Sequence, residues 1–268
     1  MNDIFIWRTR TYIYEIDAFG HVNNAVYWQY LQQATVGAHP RTRWRLRRLQ
    51  IEYLTPALYG DELDVLAWPE SRDPSGHLTW GYLIRRPADG RELVAARATW
   101  DGDDATVTPL TAPVAFRRPK ALRLTAPIAS SHTFRWQHIV RDYEPGADGL
   151  VPPAVHLQWI EEAKFSAAAA VGWSPERMAA ADFVTVQLQH ETEWYGDLGA
   201  GAEVTILSRL VELRRLKGTW RHEVYSDGRL VALDYSHGAF LDRSGHPRPA
   251  PSALLTALLT GERGTGDG

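Results

Sequence analysis

A chain of 268 residues is long enough for one large domain or two ordinary ones, and 44% hydrophobic with 23% charged residues is the balance of a soluble globular protein. The net charge of -3 gives no electrostatic reason to expect nucleic acid or an anionic membrane surface as a partner. The absence of Cys excludes disulfides, thiolate metal sites and a cysteine nucleophile.

The N-terminal stretch Met1 to Arg8 has no basic segment followed by a long apolar run, so no signal peptide is expected there. No uninterrupted apolar run approaches the roughly 20 residues of a membrane helix. The expectation is a cytoplasmic protein. Alternation from Ile4 to Tyr14 predicts a first strand, and a turn-rich loop with Gly20 follows. Tyr27, Tyr30, Leu31 and Ala34 at i, i+3, i+4, i+7 then predict one long helix with a single buried face, with Gly37 where it should stop. Four strands follow, at Gln50 to Tyr53, Glu62 to Trp68, His77 to Arg86 and Leu93 to Trp100. The basic run Arg41 to Arg48 reads as a solvated loop or helix face, or as a surface for phosphates.

The same order then repeats. An offset of 129 maps Phe5, Trp7, Tyr14, Glu15, Ala18, Gly20, Val22, Ala25, Val26, Gln29 and Ala34 onto identical residues at 134, 136, 143, 144, 147, 149, 151, 154, 155, 158 and 163. Chance gives about two identities over such a stretch, at roughly one in fifteen per position. The match is duplication. With slipped offsets, Tyr59-Gly60-Asp61 returns as Tyr195-Gly196-Asp197 and Thr79-Trp80 as Thr219-Trp220. The second helix carries His156, Trp159, Ile160 and Ala163 on its stripe, starts at Pro152-Pro153 and stops at Gly172. The boundaries expected are unit 1 over 1–120, a linker over 121–131, unit 2 over 132–250 and a C-terminal tail over 251–268. One strand, one helix and a run of antiparallel strands is an α+β unit with its sheet wrapped on the helix.

The stretch from Asp17 through Gly20-His21-Val22-Asn23-Asn24 to Tyr27 holds the candidate chemistry. A carbonyl under nucleophilic attack becomes an oxyanion, so a site for acyl transfer needs donors aimed where that charge grows. A helix N-terminus offers unpaired N–H groups and the positive end of a dipole. Asp17 stands just before it, able to attack or to act as a general base on water. His21 and Asn23 are placed to orient water or the carbonyl, and Gly20 lets the chain turn tightly. The same residues also read as ordinary loop and cap chemistry, Asn24 as a cap in particular.

This stretch resembles the Asp-x-x-Gly-His-Val-Asn-Asn-x-x-Tyr signature of hot-dog thioesterases related to 4-hydroxybenzoyl-CoA thioesterase and acyl-ACP thioesterase. Gln50 to Leu63 is similar to that family's second strand and following turn. The resemblance implies two tandem hot-dog units forming an intrachain pseudo-dimer that hydrolyses an acyl-CoA or an acyl carrier protein thioester. It implies Asp17, His21 and Asn23 as catalytic residues, with Gly20, Val22, Asn24 and Tyr27 around the substrate. In unit 2 the counterparts are Gly146, Leu150 and Pro152-Pro153, so the loop chemistry is gone. The family often carries a Glu on the helix where unit 1 has Gln32 and unit 2 has Glu161. Glu161 is therefore expected as a second catalytic carboxylate, and a solvated helix face is its plain alternative. His156 reads as a core or interface histidine. His190 has some reach toward a pocket, and Glu144 and Asp148 read as loop acids. No cofactor is expected, and no metal, because the ten His show no ligand spacing. The chain is expected to work as a single-chain pseudo-dimer, with further self-association open. The competing functions are a hot-dog hydratase or dehydratase and a non-catalytic acyl-thioester-binding protein.

Overall fold

In the computed structural model, residues 4–102, 107–110, 116–129 and 131–263 are described. The chain divides into two compact units, Met1–Ala121 and Leu122–Gly268. Unit 1 runs β1 (Phe5–Arg10), a short 3-10 turn (Ile13–Glu15), α1 (Asn24–Ala38), β2 (Arg45–Tyr53), β3 (Glu62–Arg72), β4 (Leu78–Arg85) and β5 (Glu92–Asp101). Its strands lie in the order β1-β3-β4-β5-β2, with every neighbouring pair antiparallel. Unit 2 repeats the plan with β6 (Phe134–Ile139), α2 (Pro153–Ala170), α3 (Pro175–Ala180), β7 (Val184–Trp194), β8 (Glu203–Arg214), β9 (Lys217–Ser226), β10 (Arg229–Leu241) and α4 (Ser252–Thr260). Its order is β6-β8-β9-β10-β7, the image of the first, and again antiparallel. No helix among the described residues is long and apolar enough to cross a membrane.

The predicted helix stripe is the buried one, since Tyr27, Tyr30, Leu31 and Ala34 are all buried on α1. Several local expectations change. Tyr14 belongs to the 3-10 turn rather than the strand, which ends at Arg10. Gly37 lies inside α1, and its cause is packing: a Cβ there would stand 2.8 Å from the Phe5 ring. Gly172 does follow its helix, with φ at +83°. The basic run enters β2 at Arg45, and Arg47 pairs with Asp101 at 2.9 Å.

Two segments expected outside unit 2 pack as part of it. The stretch between the copies is fastened by Glu212, whose carboxylate accepts the Thr125 and Ala126 amides at 2.8 and 2.9 Å. Residues 252–260, expected in the tail, form α4, whose Leu254, Ala257 and Leu258 join the core around Trp173, Phe183 and Phe240. Four-residue apolar spacing in Leu254 and Leu258 is a helix stripe, and burying it outweighs the looseness that terminal position suggests. Residues 264–268 of the expected tail lie outside the described residues.

Shared register lets the two interiors be compared position by position. In unit 1, Phe5 faces Ala67 across the ladder, Ala67 faces Tyr82, Tyr82 faces Ala96, and Ala96 faces Ile51. In unit 2 the same path runs Phe134, Ser208, His222, Asp234, Thr192. One step along, Ala98 and Leu49 give way to Ser236 and His190, and on the helix Thr35 gives way to Lys164. The six polar strand positions, Ser208, His222, Asp234, Thr192, Ser236 and His190, are at most 1% exposed. An apolar interior has become a polar one.

Burial of polar groups is tolerated when each finds a partner. Asp234 accepts from His190 Nδ1 at 3.0 Å and from Thr192 Oγ1 at 2.6 Å. His222 is held between the Ser208 and Ser236 hydroxyls at 2.8 and 3.1 Å. Lys164 Nζ donates to Gln187 Oε1 at 2.8 Å. Burial pushes the His222 pKa down to about 3 and that of His156, packed against Trp159 and Trp194, down to about 4.

Both histidines are therefore neutral in the folded chain and would bind protons at about pH 6.5 once unfolded. A folded pKa below the unfolded one gives stability that is complete above the unfolded value and falls as pH drops toward the folded one. Each histidine carries a loss of order 3 kcal/mol between pH 6.5 and pH 4. The melting temperature should fall steeply over that interval, and His156→Phe should make the fall shallower. A flat profile, or a His156→Phe variant with the parent's slope, would contradict this account.

Candidate functional site

The turn before α1 is built by the backbone. Asp17 N–H donates to the His21 carbonyl at 2.7 Å, and Gly20 N–H donates to the Asp17 carbonyl at 3.1 Å. Gly20 has φ at +82°, which favours glycine. No heavy atom stands within 4 Å of where its Cβ would be, so the positive φ, not close approach, is what requires it. The Asp17 carboxylate sits inside this turn, with Oδ1 accepting the Phe19 and His21 amides at 2.8 and 3.1 Å.

Unit 2 shows what that carboxylate is not needed for. Gly146 N–H donates to the Leu150 carbonyl at 2.8 Å, and Gly149 N–H to the Gly146 carbonyl at 3.0 Å. Gly149 has φ at +78°. The same turn forms around a glycine, with Asp148 Oδ1 taking the Leu150 amide at 3.1 Å. The backbone bonds of the turn thus form without a carboxylate at position 17, while the amide that Asp17 takes at His21 is taken in unit 2 by Asp148.

The cap of α1 is Asn23, whose Oδ1 accepts the Ala25 amide at 2.8 Å; Asn24, read as the cap, is the first helical residue. A side chain one position earlier has the extended backbone that aims its oxygen at the exposed N–H groups. Pro152 does the equivalent work in unit 2 with no side-chain bond. Val22 is buried, and its amide donates to the Ala57 carbonyl at 2.9 Å. Tyr27 is also buried, with its hydroxyl accepting the Ala57 amide at 3.0 Å, and burial pushes its pKa up to about 12. His21 is half-buried and its backbone bridges to Leu58. One short segment, Ala57-Leu58, thereby ties Val22, Tyr27 and His21 together. Asp17, Gly20, His21, Val22, Asn23, Asn24 and Tyr27 therefore fall within one turn and the first turn of one helix.

Glu161 stands elsewhere in the chain, half-buried on α2 of unit 2, one helical turn before Lys164. Burial lowers the Lys164 pKa, and the negative charges of Glu161 and Asp234 oppose that shift. Glu162 is exposed, and its Oε1 accepts from the Ser166 hydroxyl at 3.4 Å. Among the described residues, no group of three or more His, Cys, Asp or Glu could hold a metal ion.

A residue that the sequence reading passed over holds the turn to the helix. Glu15 Oε2 accepts the Tyr12 amide at 2.7 Å and the Tyr30 hydroxyl at 2.8 Å. In unit 2, Glu144 Oε2 accepts the Arg141 amide at 2.6 Å, Oε1 accepts the Trp159 indole at 3.1 Å, and His138 lies 2.8 Å away. Burial would raise the Glu144 pKa, but these partners bring it below the usual carboxylate range. Identity of Glu15 with Glu144 at the repeat offset was the available signal.

The strand-helix-strands plan, made twice, defines the class as a protein of two hot-dog units. Residues 5–102 match the family model of the Acyl-ACP thioesterase C-terminal domain. No curated protein matches the chain. Among solved structures, the chain is similar to an acyl-ACP thioesterase of Bacteroides thetaiotaomicron VPI-5482, at 15% identity and a TM-score of 0.63, covering 89% of this chain and 98% of that one. It is similar also to the 12:0-ACP thioesterase of Umbellularia californica, at 12% identity and a TM-score of 0.63, covering 87% and 94%. A protein of Lactobacillus plantarum with the provisional name oleoyl thioesterase gives 13% identity and a TM-score of 0.65, covering 90% and 97%.

Because unit 2 makes the turn with glycine, Asp17→Gly should leave the melting temperature within about 3 °C of the parent, as a change under about 0.5 kcal/mol does in a chain this size. Asn23→Ala should cost about 1 kcal/mol through the lost cap. Thermal melts of the two variants side by side test this. A larger loss for Asp17→Gly than for Asn23→Ala would return Asp17 to a structural role.

Proposed function

We propose that the chain is an acyl thioesterase that hydrolyses an acyl-CoA or acyl carrier protein thioester, with Asp17 as its essential carboxylate. The observation that carries the reading is Asp17 itself, a carboxylate at the head of α1 at the position where unit 2, making the same backbone turn, has Gly146. The match of residues 5–102 to the acyl-ACP thioesterase model supports the substrate class. In this reading the thioester carbonyl is held where the first N–H groups of α1 and the positive end of its dipole meet the growing oxyanion. Asp17 either takes a proton from an attacking water or attacks the carbonyl carbon itself. Either way the C–S bond breaks, the thiolate leaves and takes up a proton, and water supplies the acid's second oxygen. His21 and Asn23 orient the water or the carbonyl, while Gly20, Val22, Asn24 and Tyr27 shape the turn and helix end that receive the substrate.

Two finer points belong to the same proposal. The two hot-dog units act as an intrachain pseudo-dimer, a reading supported by the duplicated element order. Glu161 supplies a second carboxylate that holds water, supported by its standing where unit 1 has Gln32.

Free-thiol release from a panel of acyl thioesters tests the function. Asp17→Asn should lower kcat about 10²–10⁴-fold with the fold retained. Glu161→Gln should lower kcat more than it changes KM, and Glu162→Gln should be nearly silent. Near-parental turnover by Asp17→Asn would remove the mechanism, and equal behaviour of the two Glu variants would remove the role of Glu161 alone. Hydration of an enoyl thioester without thiol release would instead indicate a hydratase.

A further inference from the structure

Six large apolar or aromatic positions bear on what the acyl group meets. On the segments that frame the Asp17 turn, Tyr12, Ile13, Tyr14, Phe19, Leu58 and Tyr59 are 43–79% exposed. These segments are bonded to one another: Thr11 Oγ1 donates to the Leu58 carbonyl, Gly60 N–H to the Thr11 carbonyl at 3.3 Å, and His21 bridges to Leu58. The Tyr12 and Tyr14 rings stack at 5.5 Å. Exposed apolar groups gathered on one small surface mark a place where something binds.

Unit 2 again serves as the control. At the offset of 129, Tyr12, Ile13 and Phe19 become Arg141, Asp142 and Asp148. Tyr14 and Tyr59 keep exposed counterparts in Tyr143 and Tyr195, so what unit 2 has lost together with the carboxylate of position 17 is the apolar group on the turn itself, Phe19, and those at Tyr12 and Ile13. Phe19, Tyr12 and Ile13 therefore go with Asp17 and not with the folding of the turn, since unit 2 makes the same backbone turn without them.

The interiors offer an alkyl chain little. In unit 1, Tyr82 is locked between the Thr35 hydroxyl at 2.6 Å and the Trp100 indole at 2.7 Å, and Trp44 packs edge-on against Trp80 and Trp100. These hydrogen-bonded rings, with Trp80, Tyr82 and Trp100 at most 2% exposed, plug the space between α1 and the sheet. In unit 2 that space holds Asp234, His190, His222 and Lys164, whose bonds an alkyl chain would break without replacing.

We infer that the substrate carries a small apolar acyl group, which rests on the collar of Phe19, Leu58 and Tyr59 beside Asp17 and does not insert between helix and sheet. This rests on the thioesterase reading above. It departs from what the names of the similar solved proteins would suggest, since those name oleoyl and 12:0 substrates. A methylene buried on binding strengthens it about fourfold, whereas one left in water adds nothing. Selectivity should accordingly rise over the first few carbons and then stop.

The experiment measures kcat/KM by thiol release with acetyl-, butyryl-, hexanoyl-, benzoyl- and palmitoyl-CoA and with the matching acyl-pantetheine thioesters, on the full chain and on Phe19→Asp. Phe19→Asp installs on an exposed turn the residue type that unit 2 already carries there, and an unchanged melting temperature checks that the fold survives. kcat/KM is expected to rise from acetyl to hexanoyl and benzoyl thioesters and to go no higher with palmitoyl. Phe19→Asp is expected to lower the hexanoyl value at least tenfold and the acetyl value far less. A palmitoyl optimum, or an unchanged hexanoyl-to-acetyl ratio in Phe19→Asp, overturns the inference and leaves the thioesterase reading standing. No thiol release with any member overturns both.

Discussion

The candidate site depends on a carboxylate that fastens its turn to its helix. Glu15 bonds the backbone three residues behind it and the hydroxyl of Tyr30 one and a half turns into α1. Everything between those two anchors, including the Asp17 turn and the start of the helix, is held in a closed loop. A carboxylate accepting a backbone amide and a side-chain donor in a sheltered place makes stronger bonds than neutral partners would. The position is kept in unit 2, where Glu144 joins the Arg141 amide to the Trp159 indole. The helix partner changed from a phenol to an indole between the copies, and the acceptor stayed. That is the behaviour of a constraint on geometry rather than on reactivity.

Duplication separates what the fold needs from what the chemistry needs. Features present in both copies, such as Gly20 with Gly149 and Glu15 with Glu144, answer to the backbone. Features present in one copy only, such as Asp17 and Phe19, are free of that demand, because the other copy folds without them. The reverse also occurs. Unit 2 gained Asp234, His190, His222 and Lys164 where unit 1 keeps Ala96, Leu49, Tyr82 and Thr35. Burying such groups costs desolvation that their mutual bonds largely offset but do not turn into a large gain. Acid sensitivity follows at His222 in this network and at His156 on α2, where burial lowers the pKa only while the unit stays folded.

The sequence was most legible where a periodic signal met burial. The α1 stripe of Tyr27, Tyr30, Leu31 and Ala34 read correctly because a helix face packed on a sheet leaves a 3.6-residue trace. Strand existence was legible too, while edges were not: β2 begins at Arg45 because ladder bonds to β5 extend past the apolar part of the strand. The polar interior of unit 2 was invisible. His190, Thr192, Asp234 and Ser236 alternate like residues on a solvated sheet face, and only pairing across four strands shows that they meet under α2. Gly37 misled for a similar reason, since the Phe5 ring that requires it comes from thirty-two residues away.

The same limit governs the candidate site. The Asp17 to Tyr27 motif is contiguous, so one local pattern carried it. Ala57, whose N–H donates to the Tyr27 hydroxyl and whose carbonyl accepts the Val22 amide, is remote in sequence and unremarkable in type. Its role follows from its main chain, and main-chain donors leave no trace in side-chain identity. Tyr27 shows the consequence. A tyrosine in a motif invites a chemical role, yet burial has pushed its pKa up to about 12, and its hydroxyl is committed to the Ala57 amide. It is therefore unsuited to proton transfer near neutral pH and suited to fixing the loop that bridges to His21. Of the motif's polar side chains, Asn23 spends its oxygen on the helix and Tyr27 on the loop. Asp17 likewise gives Oδ1 to the Phe19 and His21 amides, and what sets it apart is that the same backbone turn in unit 2 has Gly146 in its place.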